Sequence, residues 1–200
     1  MKRPILEIKV ESKIKKLEKG RILFAEDFAE LGSIESINRV LSRLRKKGTL
    51  VRLAFGIYLY PKTDKELGLL YPSVEEIAEA IARRDKARII PTGIQALNKL
   101  GLSTQVPLKA VYLTDGTARV VKIGNRTITF KKASPKNLMT LGKISGLVIQ
   151  ALKSIGKSKL EEDMLTKIKS MLKKENKENI MHDAKLAPAW INKILMSTIS

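Results

Sequence analysis

The chain has 200 residues, and 44% of them are hydrophobic, which excludes a globally disordered protein and leaves room for one domain or two small ones. It contains no cysteine, so disulfides, thiol chemistry and cysteine-based zinc fingers are excluded. The 39 basic side chains outnumber the 20 acidic ones and give a formal net charge of +19, which favours a polyanionic partner, above all nucleic acid.

The positive charge is spread along the chain. It amounts to +8 over residues 1–63, +5 over 64–133 and +6 over 134–200, so it does not belong to a basic tail. No apolar run approaches the roughly 20 residues of a membrane-spanning helix. The N-terminal residues carry charges of both signs throughout, which is not the pattern of a signal peptide. We therefore expect a cytoplasmic protein without a membrane partner.

The first part of the chain predicts two short helices. Apolar residues among lysines indicate a helix over 8–19 that is closed by Gly20. A brief extended piece follows at 22–24. Acidic residues at the start of the segment 25–31 suit the positive end of a second helix.

A third helix is predicted from Ser33, whose hydroxyl is suited to cap it, to the residues just before Gly48. Its apolar residues recur with helical spacing and form one stripe that packs inward: Ile34, Ile37, Val40, Leu41 and Leu44. The opposite face of this helix is therefore expected to face the surroundings of the protein.

Two strands rich in β-branched and aromatic residues are predicted over 49–53 and 57–60, with a turn at 54–56. Three helices followed by such a hairpin are the order of a winged helix-turn-helix, in which the hairpin is the wing. We predict a DNA-binding domain of this type over residues 1–62. Phe55 stands in the turn, where a phosphate-binding wing would carry a cation, and we expect its ring to be buried or packed.

The outer face of the third helix is polar and basic. In a winged helix this face enters the major groove, where arginine pairs with guanine, asparagine with adenine and glutamate with cytosine, while serine and lysine contact phosphates. Arg52 is the nearest cation on the first strand of the wing. The predicted DNA-binding residues are Glu35, Ser36, Asn38, Arg39, Ser42, Arg43, Lys46 and Arg52.

Other interpretations of this stretch remain open. A basic helix face is also compatible with a solvated surface on a structural unit, and some winged helices bind protein. The alternative to a DNA-binding domain is therefore an RNA-binding or protein-interaction module.

A connector is predicted over 62–72, and a second domain over 73–200. That domain is expected to be mixed α/β. A helix at 73–84, a strand at 88–90 and a helix at 92–100 come first, and strands at 110–113, 119–123 and 127–131 follow. Its C-terminal part is expected to be helical, with helices over 138–155, 160–174 and 188–196 and a solvated linker over 173–179. The whole chain is therefore predicted to be α+β.

Two arginines of the second domain are candidates for a further basic surface. The turn Gly124-Asn125 brings the strands that carry Arg119 and Arg126 side by side. Such a surface would bind nucleic acid or a partner. The alternative is a solvated sheet face on a scaffold or dimerisation domain.

No catalytic, metal or cofactor site is predicted. The only histidine, His182, neighbours Asp183, but no nucleophile motif accompanies the pair, so we expect no enzymatic activity. No cluster of metal-ligating residues or phosphate-binding glycine loop is present.

The sequence between Ile89 and Leu138 carries a run of recognisable pieces: Pro91-Thr92-Gly93, Ala96-Leu97-Asn98, Gly101-Leu102-Ser103-Thr104-Gln105-Val106-Pro107, Tyr112-Leu113-Thr114-Asp115-Gly116 and Gly124-Asn125-Arg126. Together with the predicted winged helix, they resemble the AbiEi-type antitoxins of bacterial type IV toxin–antitoxin (abortive infection) systems. The closest likeness is to the AbiEi-related subgroup with an N-terminal winged helix, and it covers about 150 residues.

The resemblance implies a function for each domain. The winged helix would bind the protein's own promoter as double-stranded DNA and repress transcription of its operon. The second domain would be an AbiEi-like antitoxin domain that counters a nucleotidyltransferase-like toxin without forming a stable complex with it.

Overall fold

The structure is a computed structural model that describes residues 4–105 and 108–199. Within these residues the fold is mixed α+β, as predicted, and no helix combines the length and apolarity needed to cross a membrane. Val106 and Pro107 of the recognised pieces lie outside the described residues, as do residues 1 and 200 at the limits of the predicted domains. Contacts divide the chain into two compact units, one ending at Asp85 and including 122–124, and one formed by 86–121 and 125–200.

The first unit begins with three helical segments and a β-hairpin. In chain order they are helix α1 (Ile5–Lys15), strand β1 (Ile22–Leu23), a 3-10 helix (Ala25–Leu31), helix α2 (Ile34–Lys46) and strands β2 (Val51–Ala54) and β3 (Ile57–Leu59). The strands form a small sheet in the order β1-β3-β2, with β3 antiparallel to both neighbours. The predicted element order is therefore present.

Two details of this region differ from the prediction. Helix α1 ends at Lys15, well before Gly20. The chain leaves the helix at Lys16 and turns toward Gly20, whose N–H donates to the Tyr60 carbonyl. The second helix has the predicted limits but is a 3-10 helix interrupted at Phe28, whose φ of −125° is not helical. Phe28 is fully buried, so packing of its ring competes with helical backbone geometry at this residue.

The region predicted as a connector contains a second, separate hairpin. Strands β4 (Lys62–Asp64) and β5 (Gly68–Leu70) pair antiparallel. The Asp64 carboxylate accepts hydrogen bonds from the N–H groups of Glu66 and Leu67, at 2.8 and 3.0 Å, and so organises the turn. The prediction missed this hairpin because its short strands lack a continuous apolar face.

Helix α3 (Val74–Arg84) belongs to the first unit, not to the second. Ser73 and Glu76 form a reciprocal capping box at its start, with Glu76 N–H to Ser73 Oγ at 3.1 Å and Ser73 N–H to Glu76 Oε2 at 2.7 Å. At its end the Arg84 guanidinium lies 4.7 Å from the ring centroid of Phe24. The contacts therefore place the boundary after Asp85, whereas the sequence places the start of the second domain at residue 73.

One four-stranded sheet lies in the second unit, apart from residues 122–124, which group with the first unit. Its strands are β6 (Ile89–Pro91), β7 (Lys109–Thr114), β8 (Arg119–Ile123) and β9 (Arg126–Lys132), in the order β6-β7-β9-β8. Strand β7 is antiparallel to β6 and parallel to β9. Tyr112 and Phe130 are register partners on this parallel pair, with ring centroids 6.0 Å apart.

Helices supply the rest of the second unit. They are α4 (Ile94–Lys99), α5 (Pro135–Leu138), α6 (Lys143–Ile155), α7 (Glu162–Leu172), α8 (Lys177–Leu186) and α9 (Ala189–Met196). The apolar faces of all of these except α5 share one core, in which Val148, Leu152 and Ile168 are fully buried. The helical C-terminus is confirmed. The predicted linker 173–179 is wrong in its second half, because Asn176 caps α8 by accepting from the Glu178 N–H at 2.7 Å.

Asp183 is the main polar support of the second unit. Its buried carboxylate accepts from the N–H groups of Leu141 and Gly142 at 2.8 and 3.0 Å and from the Ser145 hydroxyl at 2.6 Å, all at the start of α6. His182 Nδ1 lies 2.9 Å from the same carboxylate but remains partly exposed. The His182–Asp183 pair therefore lies at a helix cap, where two backbone N–H groups and the Ser145 hydroxyl donate to the Asp183 carboxylate.

We expect Asp183 and His182 to respond very differently to substitution. Asp183→Ala leaves buried donors unpaired and should lower the free energy of unfolding by at least about 2 kcal/mol. His182→Ala should change it by less than about 1 kcal/mol and leave every other property of the protein intact. Urea unfolding followed by circular dichroism measures both. Loss of a function in His182→Ala with unchanged folding would contradict this assignment.

Candidate nucleic-acid interface

The predicted DNA-binding residues meet in a groove between helix α2 and the β2–β3 hairpin. The groove has a volume of about 480 Å³. Five of its lining residues come from α2 and four from the hairpin: Asn38, Arg39, Ser42, Arg43, Lys46, Arg52, Phe55, Gly56 and Tyr58. Six of the eight predicted residues are therefore brought together, and Glu35 and Ser36 are not among the lining residues.

Helix α2 presents its polar face to the groove because most of its apolar stripe is buried. Ile34, which the sequence analysis placed in that stripe, is 41% exposed in the first turn, so its predicted inward packing is wrong. Ile37, Val40, Leu41 and Leu44 are completely buried in a core that α1 and the 3-10 helix complete. Ser33 caps the helix as predicted, accepting from the Ser36 N–H at 3.3 Å. Burial of this stripe fixes the rotation of α2 about its axis, so the opposite side chains must line the groove.

Glu35 and Ser36 lie at the N-terminal turn of α2. Ser36 shares a hydrogen bond with Ser33, with 2.9 Å between the two hydroxyl oxygens, so its side chain belongs to the cap. Glu35 is exposed in the first turn, where a carboxylate suits the helix dipole. Both residues occupy capping positions, which their spacing from Ser33 also indicates.

The groove is strongly cationic. Arg39, Arg43, Lys46 and Arg52 line it, and its described lining includes no carboxylate. Arg39 and Lys46 are exposed on α2 and make no ion pair with any residue in 4–105 or 108–199. Their charges are therefore not neutralised by an ion pair with any described residue and are available to an anionic ligand.

Arg43 is held by a carboxylate that the sequence analysis did not identify. Glu7 of α1 is only 1% exposed, and its Oε2 accepts from Arg43 Nε at 2.8 Å. Lys47 Nζ contacts Oε1 of the same carboxylate. Arg43 is partly exposed, with 45% of its side-chain surface accessible, so it both lines the groove and joins α2 to α1. Its predicted role as a free base-reading side chain is thus shared with a structural one.

A signal for this ion pair exists in the sequence. Glu7, Val10 and Ile14 follow the spacing of one helix face, and the two apolar residues are fully buried. A carboxylate on a core-facing stripe requires a cationic partner. The predicted helix began at residue 8, one residue after Glu7, and so excluded it.

The two cations keep Glu7 ionised. The hydrogen bond from Lys47 lowers the pKa of Glu7 most, burial opposes it, and the hydrogen bond from Arg43 lowers it further, so the pKa lies below the ordinary value. A carboxylate ionised at neutral pH in this position ties α1 to the C-terminal half of α2.

The hairpin turn differs from the prediction at Phe55. Its ring is 91% exposed, so the expected burial is wrong. The turn has only two residues, Phe55 and Gly56, which carry the ring away from the buried strands. The Arg52 guanidinium lies 5.2 Å from the ring centroid, and its Nε donates to the Ala54 carbonyl at 3.3 Å. Arg52 therefore lines the groove and packs on Phe55.

The predicted second basic surface is not concentrated. Arg126 begins β9 directly after the Gly124-Asn125 turn, whereas Arg119 begins β8 at the other end of the hairpin. The Arg119 guanidinium lies 5.5 Å from the ring centroid of Phe130, which fits that placement. The strands are neighbours, as predicted, but the two arginines do not meet.

Among the residues that the structure describes, no three histidine or acidic side chains gather as a metal site would require. The candidate site is therefore the α2–hairpin groove, in which cationic side chains converge.

We expect Glu7→Gln to destabilise the protein in a pH-dependent way. Near neutral pH, loss of the carboxylate should lower the free energy of unfolding by roughly 1–3 kcal/mol. Because the folded-state pKa is lowered, this stabilisation is present above the ordinary glutamate pKa and is lost as the pH falls through the folded value. The difference between wild type and variant should therefore shrink in acid.

Urea unfolding of both proteins between about pH 3 and pH 7 measures this difference. Glu18→Gln is the matched control, because Glu18 is exposed just after the same helix, and it should change the free energy by less than about 0.5 kcal/mol. A Glu7→Gln effect that is the same at every pH would contradict the assignment.

Comparison with known proteins identifies a family. The sequence model described as "Family of unknown function (DUF6088)" matches residues 9–180. No curated protein matches the sequence. Among solved structures, the crystal structure of RV2827C protein from Mycobacterium tuberculosis is similar, with 11% sequence identity and a TM-score of 0.45 over 98% of this chain and 82% of that one. The chain belongs to the DUF6088 family, whose function is unknown.

Proposed function

We propose that the chain is a sequence-selective DNA-binding protein and that residues 1–62 act as a winged helix-turn-helix. Helix α2 is the recognition helix and the β2–β3 hairpin is the wing. The observation that carries the proposal is the groove between them, lined by four cations and by no carboxylate among its described residues. A groove of one charge raises the local concentration of a ligand of the opposite charge.

The dimensions of α2 suit duplex DNA. A helix with its side chains is roughly 10–12 Å across, which matches the roughly 12 Å width of the B-DNA major groove. The major groove of an RNA duplex is too deep and narrow for a helix to read. Duplex DNA is therefore a better partner for this surface than duplex RNA.

The groove residues divide into base-reading and phosphate-binding groups. Arg39 and Asn38 lie in the middle of the exposed face of α2, and their side chains suit guanine and adenine edges. Lys46 at the end of α2 and Arg52 on the wing suit phosphates on the two sides of the DNA major groove. Arg43 donates through Nε to Glu7. We therefore assign it two roles, which are to hold α2 against α1 and to contact a phosphate.

The biological role in this proposal comes from the resemblance to AbiEi-type antitoxins, which stays a prediction. On that basis the bound DNA is the protein's own promoter, and binding represses its operon. The second unit counters a nucleotidyltransferase-like toxin without a stable complex. The separation of Arg119 and Arg126 gives no reason to place a nucleic-acid surface on that unit.

Arg39→Ala should weaken binding to a preferred duplex by roughly 1–3 kcal/mol and reduce discrimination between preferred and scrambled sequences, because it removes a base-reading side chain. The preferred duplex is obtained by selection from random duplex DNA with the wild-type protein. Fluorescence anisotropy at several salt concentrations gives affinity, and affinity should fall steeply with salt as counterions are released.

Arg21→Ala is the matched control for this measurement. Arg21 is an exposed arginine of the same unit that does not line the groove, so its loss removes the same charge elsewhere. It should leave discrimination unchanged. Equal effects of the two substitutions would contradict base reading by α2. Stronger binding to single-stranded RNA than to any duplex would favour the RNA-binding alternative.

The antitoxin role proposed for the second unit predicts that protection against the toxin survives loss of DNA binding. The first step is to identify the gene beside the gene for this chain. If that gene encodes a toxin, it is expressed from an unrelated promoter, and cell growth is measured with wild type and with Arg39→Ala. Both proteins should restore growth equally, because the second unit is unchanged. Protection by neither protein would exclude direct antitoxin action.

A further inference from the structure

The wing ends in a single exposed aromatic ring. The other large apolar side chains of the hairpin, Leu53, Ile57 and Leu59, are buried, whereas Phe55 is 91% exposed at the turn. Exposure of a whole phenylalanine ring to water is unfavourable. The two-residue turn instead carries the ring outward.

The position of the ring is well defined by its neighbours. Ala54 and Ile57 are paired across the turn, and Gly56 has a φ of +71°, a conformation that favours glycine. Arg52 packs against the ring and is itself held by the Ala54 carbonyl. Phe55 is therefore presented by a short, closed turn together with a cation.

We propose that Phe55 is an apolar wedge that enters the minor groove of DNA and partly unstacks one base step beside the site bound by α2. This inference rests on the proposed function. It assigns to the wing tip a stacking contact where a phosphate-binding wing would carry a cation.

The chemistry of the tip favours a wedge over other contacts with DNA. Phenylalanine has no group that can bind phosphate or hydrogen-bond to a base edge, so its favourable contacts are stacking and burial. The cations of the groove draw the tip onto the phosphate backbone. Arg52 beside the ring suits the negative potential of a narrow minor groove.

A wedge of this kind makes binding sensitive to DNA flexibility. Unstacking costs least at flexible pyrimidine–purine steps, so such a step should be preferred under the wing although no hydrogen bond reads it. Wedges of this type bend duplexes by roughly 20–90°. The wing would thus add selectivity and a bend to a site whose bases are read by α2.

The test uses the full chain and the duplex selected by the wild-type protein. Affinity is measured by anisotropy, bending by energy transfer between dyes on the duplex ends, and unstacking by permanganate reactivity of thymines. The variants are Phe55→Ala and Phe55→Trp. The matched control is Leu67→Ala, because Leu67 is 78% exposed beside Gly68 at the tip of the β4–β5 hairpin and lies outside the groove.

Wild type should bend the duplex and make thymines reactive at one step. Phe55→Ala should bind about tenfold more weakly and lose both signals, as expected for loss of one stacked aromatic. Phe55→Trp should retain both signals, and Leu67→Ala should behave as wild type. All the substituted side chains are exposed, so folding should be unaffected.

Two results would overturn the wedge while leaving the proposed function intact. One is unchanged affinity and bending in Phe55→Ala. The other is weaker binding with unchanged bending and thymine reactivity, which would place the ring against the sugar-phosphate backbone. Absence of duplex binding by the wild-type protein would instead remove the proposed function, and the wedge with it.

Discussion

Burial of the apolar stripe of α2 is the constraint on which the first unit depends. Four of its side chains are completely buried against α1 and the 3-10 helix, which leaves the helix one permitted rotation about its axis. Arg39 and Lys46 then face outward, and the β2–β3 hairpin closes the other side of the groove. The cationic groove is thus a consequence of core packing, because the same periodicity that fills the core separates the charges from it.

Glu7 resolves a conflict that this arrangement creates. A short helix with Arg43, Arg45, Lys46 and Lys47 in its last turns concentrates positive charge that must repel itself. The buried carboxylate of Glu7 binds two of these cations and leaves Arg39 and Lys46 unpaired among the described residues. Stability and the proposed ligand binding therefore draw largely on different members of one basic cluster, and Arg43 belongs to both. We infer that this division preserves a strong field in the groove while α1 stays attached to α2.

The sequence predicted the elements that rest on periodicity and capping. Helix α2, its Ser33 cap, the β2–β3 hairpin and the six groove residues follow from helical spacing, a serine cap and strand composition. Two contacts between distant residues escaped prediction. Glu7 with Arg43 was missed because the predicted first helix began after Glu7, which left the carboxylate off its core-facing stripe. Asp183 with the start of α6 was missed because no local pattern marks that contact. Phe55 was mispredicted because composition favours burial, whereas a two-residue turn leaves the ring no path back to the core.

The most direct test of the account is to locate the proposed DNA-binding surface in solution. Amide chemical shifts of the isotope-labelled chain are recorded while the selected duplex is added. We predict that the large changes fall on the exposed face of α2 and on the β2–β3 hairpin, around Arg39, Lys46 and Phe55. Changes confined to the second unit, or no changes at all, would contradict the assignment of the groove as the nucleic-acid interface.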